Sequence, residues 1–185
     1  GYMAMATSSG TIGSASASGS NSVATGENAI ANGVGATAYG AYSNGEGVGA
    51  LAVGYSANAS GNNSTALGTN STASGNVSVA LGYAANASSN GAIALGSNAA
   101  ARNNSSIAIG ENSTASGTSS TALGSRSTAS GTSSTALGAS AHASGSSSTA
   151  LGEYSTASGY ASTALGYSSN ASGTWSIALG RAANA

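Results

Sequence analysis

The side chains that could do chemistry in this 185-residue chain are few and far apart. His142 is the single histidine, and the nearest carboxylate along the chain is Glu153. A general acid–base group or a metal ligand needs partners at hand, and with neither Cys nor Asp in the chain little is left to supply them. Serines are abundant, yet no G-x-S-x-G elbow with acid and base partners occurs. Nor is there a P-loop or the aspartate-bearing G-G-x-G-x-D calcium repeat. The sequence therefore reads as non-enzymatic, with no catalytic, cofactor-binding or metal-binding residue and no cofactor. The remaining candidates are aromatic: Tyr55, Tyr83, Tyr154, Tyr160, Tyr167 and Trp175 each follow a glycine by one or two residues. Exposed rings at such corners could anchor a partner or pack corner on corner. Sequons such as Asn70-Ser71-Thr72 and Asn112-Ser113-Thr114 carry little weight as glycosylation sites, because Asn at turns and Ser-Thr in strands produce them automatically.

Composition narrows the function classes further. Phe, Pro and Cys are absent, and charged residues make up 4% of the chain, with a formal net charge of −1. Three arginines without lysine cannot neutralise a run of phosphates, which excludes nucleic acid as a partner. An anionic membrane surface is disfavoured for the same reason, and no apolar run is long enough to span a bilayer. The lack of cysteine fits an oxidising, extracytoplasmic setting. Leu, Ile and Val are about half as frequent as a globular core requires, while disorder would call for high net charge. The chain begins and ends within a repeating pattern and is expected to be a fragment of a longer protein.

That pattern positions everything else. Gly26, Gly40, Gly54, Gly68, Gly82, Gly96, Gly110, Gly124, Gly138, Gly152, Gly166 and Gly180 recur every fourteen residues, each with alanine two places before it. Midway between them runs a second set: Gly19, Gly33, Gly47, Gly61, Gly75, Gly117, Gly131, Gly145, Gly159 and Gly173, with Ser89 and Asn103 substituting. A strict short period signals a solenoid whose coils cannot bury themselves alone. Each half-repeat reads as a short strand followed by a tight turn, with Gly or Asn expected to supply positive φ at the corners. The expected fold is all-β, a parallel β-roll of fourteen-residue coils with two short strands each. It forms a single domain over residues 1–185, with irregular N-terminal coils over 1–40 and regular repeats over 41–185. At the spacing of paired strands, twelve coils would make a rod about 60 Å long.

Strand parity then assigns the faces. The residues four and two before each glycine position, from Ala15 to Ala178, are all Ala, Ser or Gly. They must point inward, since the opposite choice would bury Arg102, Glu46 and His142. Inward serines must find hydrogen-bond partners or cost about 1–3 kcal/mol each. On the first strand the outward residues are Leu51, Val53, Leu67, Val79, Leu81, Ile93, Leu95, Ile107, Ile109, Leu123, Leu137, Leu151, Leu165, Ile177 and Leu179, interspersed with threonines. On the second strand they are polar: Asn58, Thr72, Asn86, Arg102, Thr128 and His142 among them. An apolar stripe of that length cannot stay in water, and covering one leucine yields about 1.5–3 kcal/mol. The core is expected to lie between identical chains with closed symmetry. Parity does not separate two chains from three.

The motifs Ser78-Val79-Ala80-Leu81-Gly82, Ser106-Ile107-Ala108-Ile109-Gly110 and Ser176-Ile177-Ala178-Leu179-Gly180 resemble the Ser-Val-Ala-Ile-Gly head repeat of trimeric autotransporter adhesins, the YadA-like family. The resemblance covers residues 13–185. It implies a left-handed parallel β-roll, a homotrimer with the apolar strand residues at its axis, and a virulence-associated adhesin on the bacterial cell surface. Anchoring in the outer membrane would come from a C-terminal region outside this fragment, with no direct membrane insertion by the fragment itself. It further implies multivalent attachment to host extracellular matrix proteins of the collagen, fibronectin and laminin class, or to host cell receptors. An alternative reading of the solenoid alone is an ice-binding face built from Thr72, Thr114, Thr128 and Thr156, interrupted by Asn58, Asn86, Arg102 and His142. Hexapeptide-repeat acyltransferases share coiled parallel strands but have a period of six.

Overall fold

A computed structural model describes residues 4–7 and 13–185; the expectation for the irregular N-terminus falls partly on residues outside these. The protein is an all-β parallel solenoid of about 12 coils, with no helix among the described residues. It divides into two compact units, Gly1–Gly91 and Ala92–Ala185.

In the first unit three-residue strands run Met5–Thr7, Val23–Thr25, Thr37–Tyr39, Leu51–Val53, Thr65–Leu67 and Val79–Leu81. They alternate with two-residue strands Ser16–Ala17, Ile30–Ala31, Asn44–Gly45, Asn58–Ala59, Thr72–Ala73 and Asn86–Ala87. Each strand pairs in parallel with its counterpart in the next coil, as in Thr65↔Val79 and Thr72↔Asn86. The exception is the first coil, where Met5 pairs with Val23, so four extra residues lie between these partners compared with the regular repeat.

In the second unit the longer strands are Ile93–Leu95, Ile107–Ile109, Thr121–Leu123, Thr135–Leu137, Thr149–Leu151, Thr163–Leu165 and Ile177–Leu179. The shorter are Ala100–Ala101, Thr114–Ala115, Thr128–Ala129, His142–Ala143, Thr156–Ala157 and Asn170–Ala171. Pairing is again parallel and without slippage, from Ile93↔Ile107 to Thr163↔Ile177.

The interior is the all-small set. Every residue four or two before a glycine position is buried except Ala15, Ala17 and Ser176. The core is thus a column of methyls and hydroxymethyls, which contributes little hydrophobic stabilisation per residue. Most inward serines satisfy their hydroxyls locally. Ser64 and Ser78 donate to the carbonyls of Gly61 and Gly75 at 2.6 Å, and Ser71 and Ser127 to those of Gly68 and Gly124 at 2.8 Å. Contrary to the expectation that every inward serine is bonded, the hydroxyls of Ser120, Ser134, Ser148, Ser162 and Ser176 make no hydrogen bond. Their backbone is nevertheless the same: the N–H to carbonyl distance across the turn is 3.2 Å at both Ser64 and Ser120. The acceptor used by Ser64 is therefore one side-chain rotation away.

The corners correct the sequence reading of glycine. In the first set, Gly68 (φ 136°) and its equivalents have positive φ, as expected. The second set does not, and there glycine is needed because backbone lies on backbone: a methyl built on Gly145 would land on the carbonyl oxygen of Gly159. At both corners positive φ also falls on the residue two after each glycine position. Asn63, Asn70 and Asn112 fill it favourably, but so do Tyr154 (φ 58°), Val77 (φ 56°) and Trp175 (φ 61°). Asn tolerates this conformation through local hydrogen bonding, whereas other L-residues pay about 1–2 kcal/mol. Val77 is β-branched and 63% exposed, so it gains little packing in return. Val77→Asn is expected to stabilise the fold by about 1 kcal/mol, seen as a raised thermal midpoint; a lowered midpoint would show that the valine packs productively.

Candidate interaction surfaces

Four surfaces remain after the interior is assigned: the outer face of each strand series and the two corner rows. On the longer strands, alternation turns the residues three and one before the first-set glycine outward. In-register pairing stacks them into rows. Leu123 pairs with Leu137, Leu137 with Leu151, and Leu151 with Leu165. In the first unit Leu51 is followed by Thr65, and Val53 by Leu67 and then Leu81. Leu67, Leu123, Leu137, Leu151 and Leu165 are 36–40% exposed, while Ile177 and Leu179 reach 70% and 69%. Leu51, Val53, Val79, Leu81, Ile93, Leu95, Ile107 and Ile109 are half-buried. All fifteen residues named for an inter-chain contact thus lie on the outer face of the longer strands in their own unit.

The shorter strands present a polar face. His142 is exposed between Thr128 and Thr156 of the neighbouring coils. Asn44 Nδ2 donates to Glu46 Oε1 at 3.0 Å. Among the described residues no group of three His, Asp or Glu side chains stands close enough to hold a metal ion. Thr72 and Thr114 each neighbour an asparagine or alanine coil, at Asn86 and Ala100, so the threonine rows are short.

The corners carry the aromatic residues, and here the arrangement differs from a count in fourteens. At corners within each unit the N–H of the second turn residue donates to the carbonyl of the first turn residue in the preceding coil, as in Asn70 to Tyr55 (2.9 Å) and Trp175 to Tyr160 (2.9 Å). Rings therefore meet on diagonals one residue more or one fewer than the repeat. Tyr42 packs edge-on against Tyr55, Tyr154 against Tyr167, and Tyr160 against Trp175, with centroids 5.5–5.9 Å apart. Arg181 lies over the Tyr167 ring at 5.7 Å, a cation–π contact. An asparagine ladder occupies the second-set corner of the first unit. The N–H groups of Val48, Asn62 and Asn76 donate to Oδ1 of Asn62, Asn76 and Asn90 at 3.0–3.1 Å. These corner asparagines, and Asn70 and Asn112 at positive φ, give the sequon pattern a structural origin.

A family model, the YadA head domain repeat in two copies, matches residues 17–43, 46–71, 73–99, 101–127, 129–155 and 157–183. Each matched stretch corresponds to a pair of coils. The chain belongs to the YadA head repeat family. Among solved structures, the crystal structure of the collagen-binding domain of the Yersinia adhesin YadA is similar at 26% identity, with a TM-score of 0.49. That match covers 90% of this chain and 70% of that chain. No curated protein matches.

Proposed function

We propose that this YadA-type head is the adhesive module of a bacterial surface protein, held as a homotrimer and acting without catalysis. The observation that carries the reading is the in-register apolar row on the outer face of the longer strands in a chain of this family. A row of leucines that remains more than a third exposed within one chain is covered most economically by copies of itself around an axis. Leu51, Val53, Leu67, Val79, Leu81, Ile93, Leu95, Ile107, Ile109, Leu123, Leu137, Leu151, Leu165, Ile177 and Leu179 form the contact between chains, and residues 1–185 act as one head domain. The polar faces and corners then point outward in three copies. Weak sites repeated in this way gain by avidity. Their targets are host extracellular matrix proteins of the collagen, fibronectin and laminin class or host cell receptors, with the head displayed outside an outer membrane to which a further region anchors it.

Two measurements on the 185-residue chain test this. Sedimentation equilibrium is expected to return three times the 17.0 kDa chain mass; a folded monomer overturns the assembly. Saturable binding is expected to at least one of immobilised collagen, fibronectin, laminin or intact host cells, and binding to none of them overturns the adhesive role.

A further inference from the structure

Four bulky side chains of the first unit stand open on opposite edges of neighbouring coils. Val34 and Val48, at second-set corners, are 51% and 50% exposed; Tyr42 and Tyr55, at first-set corners, are 47% and 54% exposed. Strands precede and follow all four, so coils stacked on either side leave them uncovered. Tyr42 is held in place, with its ring against Tyr55 at 5.6 Å and its hydroxyl donating to Glu27 Oε1 at 3.4 Å. Within one chain the two edges cannot cover each other. The strand Leu51–Val53 runs between the corners of Val48 and Tyr55, and four extended residues span about 13 Å. That same strand carries the outward pair Leu51 and Val53, so both edges flank the apolar face and continue it.

The bulky corners of the two edges fall at matching levels along the stack. Val34, Tyr42, Val48 and Tyr55 follow one another at half-coil steps, alternating between edges. Where the second-set corner turns polar, at Asn62-Asn63, the first-set corner half a coil on is polar too, at Thr69-Asn70. The second unit shows the same match by itself. Its corner turns from Glu111 to Ser147 carry no ring and no Val, Leu or Ile on either edge, and Tyr154, Tyr160 and Tyr167 then come together, again alternating. Edges that never meet in one chain have no reason to match within it. Copies related by an axis parallel to the stack do supply one, because each first-set edge then lies beside the neighbour's second-set edge at the same level. A two-fold axis across the stack would reverse the order of levels and lose the match. Charge agrees: Glu27, Glu111, Arg126, Glu153 and Arg181 all sit in first-set turns and no charge in second-set turns, so this contact never sets like charges together.

We propose that the Tyr42–Tyr55 corner of one chain packs against Val34 and Val48 of a second copy, closing the outer edge of the seam between chains. At the polar levels the same seam stays open and hydrated. This rests on the homotrimer proposed above and adds to the leucine row a second, unlike pair of contact surfaces. The test introduces Tyr55→Cys and Val48→Cys together into the 185-residue chain, which has no cysteine of its own. A short bis-maleimide is then added at micromolar protein, with circular dichroism confirming that the variant is folded. Denaturing electrophoresis is expected to show chains linked up to threes and none beyond. Either cysteine alone is expected to give no linked chains, and so is the misaligned pair Val34→Cys with Tyr83→Cys, which lies 3.5 coils or about 17 Å apart along the stack. Sedimentation equilibrium on the same samples separates the two readings. A trimer whose Tyr55→Cys, Val48→Cys pair stays unlinked overturns the corner contact and leaves the assembly standing. A folded monomer overturns the assembly and the corner contact with it. Linked pairs from Tyr55→Cys alone would show like corners meeting, and equal linking of the misaligned pair would show chance collision; each overturns the proposal.

Discussion

Replacing Leu123, Leu137 and Leu151 together by serine is expected to convert the proposed trimer into dissociated or unfolded chains. These three leucines are consecutive members of one in-register row and are 36–40% exposed within a single chain. Covering what remains of each contributes about 1–2 kcal/mol. Over three chains the triple substitution removes on the order of 10 kcal/mol of inter-chain burial, as much as the whole stability of many domains. The interior cannot compensate, being built from Ala and Ser. The control is Thr114, Thr128 and Thr156 changed to serine on the shorter strands, where the parent mass and thermal midpoint are expected to persist. Sedimentation equilibrium at micromolar concentration with circular dichroism reads both. An unchanged mass in the leucine variant would show that the row is not what joins the chains.

Gly145→Ala is expected to destabilise the fold by at least about 3 kcal/mol, near the upper range for one substitution. The added methyl would land on the carbonyl oxygen of Gly159, with the Ser158 carbonyl close by. Backbone atoms cannot rotate away as a side chain can. Gly35→Ala is the matched comparison. Gly35 has φ +68° and nothing within 4 Å of an added methyl, so only the left-handed conformation is penalised, by about 1 kcal/mol. Asn103 shows how a side chain is accommodated at a second-set position. Arg102 keeps its bond to the Ala115 carbonyl at 2.9 Å, but the Asn103 N–H turns to Ser106 Oγ at 3.2 Å. Asn103 Nδ2 adds a donor to the Ser116 carbonyl. Gly145→Asn can recover such a bond and Gly145→Ala cannot, so the asparagine variant is expected to be the more stable by about 1 kcal/mol. Denaturant midpoints rank the three variants, and equal midpoints for Gly145→Ala and Gly35→Ala would show that the coils spread freely.

The regular repeat made much of this molecule legible from its residues. Alternation along a strand has a period of two, so the small residues at Ser64 and Ala66 and the bulky ones at Thr65 and Leu67 had to face opposite ways. An ungapped spacing of fourteen left one register available, and Thr65↔Val79 and Leu123↔Leu137 follow from it. Those are local or strictly periodic properties, and a sequence displays them directly. Three others needed coordinates, because each depends on how one coil sits on the next. Gly68 and Gly145 look alike as letters; both lie under a stacked backbone carbonyl, but Gly68 is restricted by its positive φ as well. Tyr160 meets Trp175 on a diagonal set by the turn hydrogen bond, which a count in fourteens passes over. Met5 pairs with Val23, a register that a count in fourteens does not supply. The sequence by itself thus determined the period, the faces and the family, all carried by residue type and spacing. Only the tertiary structure decided why each corner residue is what it is, because the distance between successive backbones is written in no single residue.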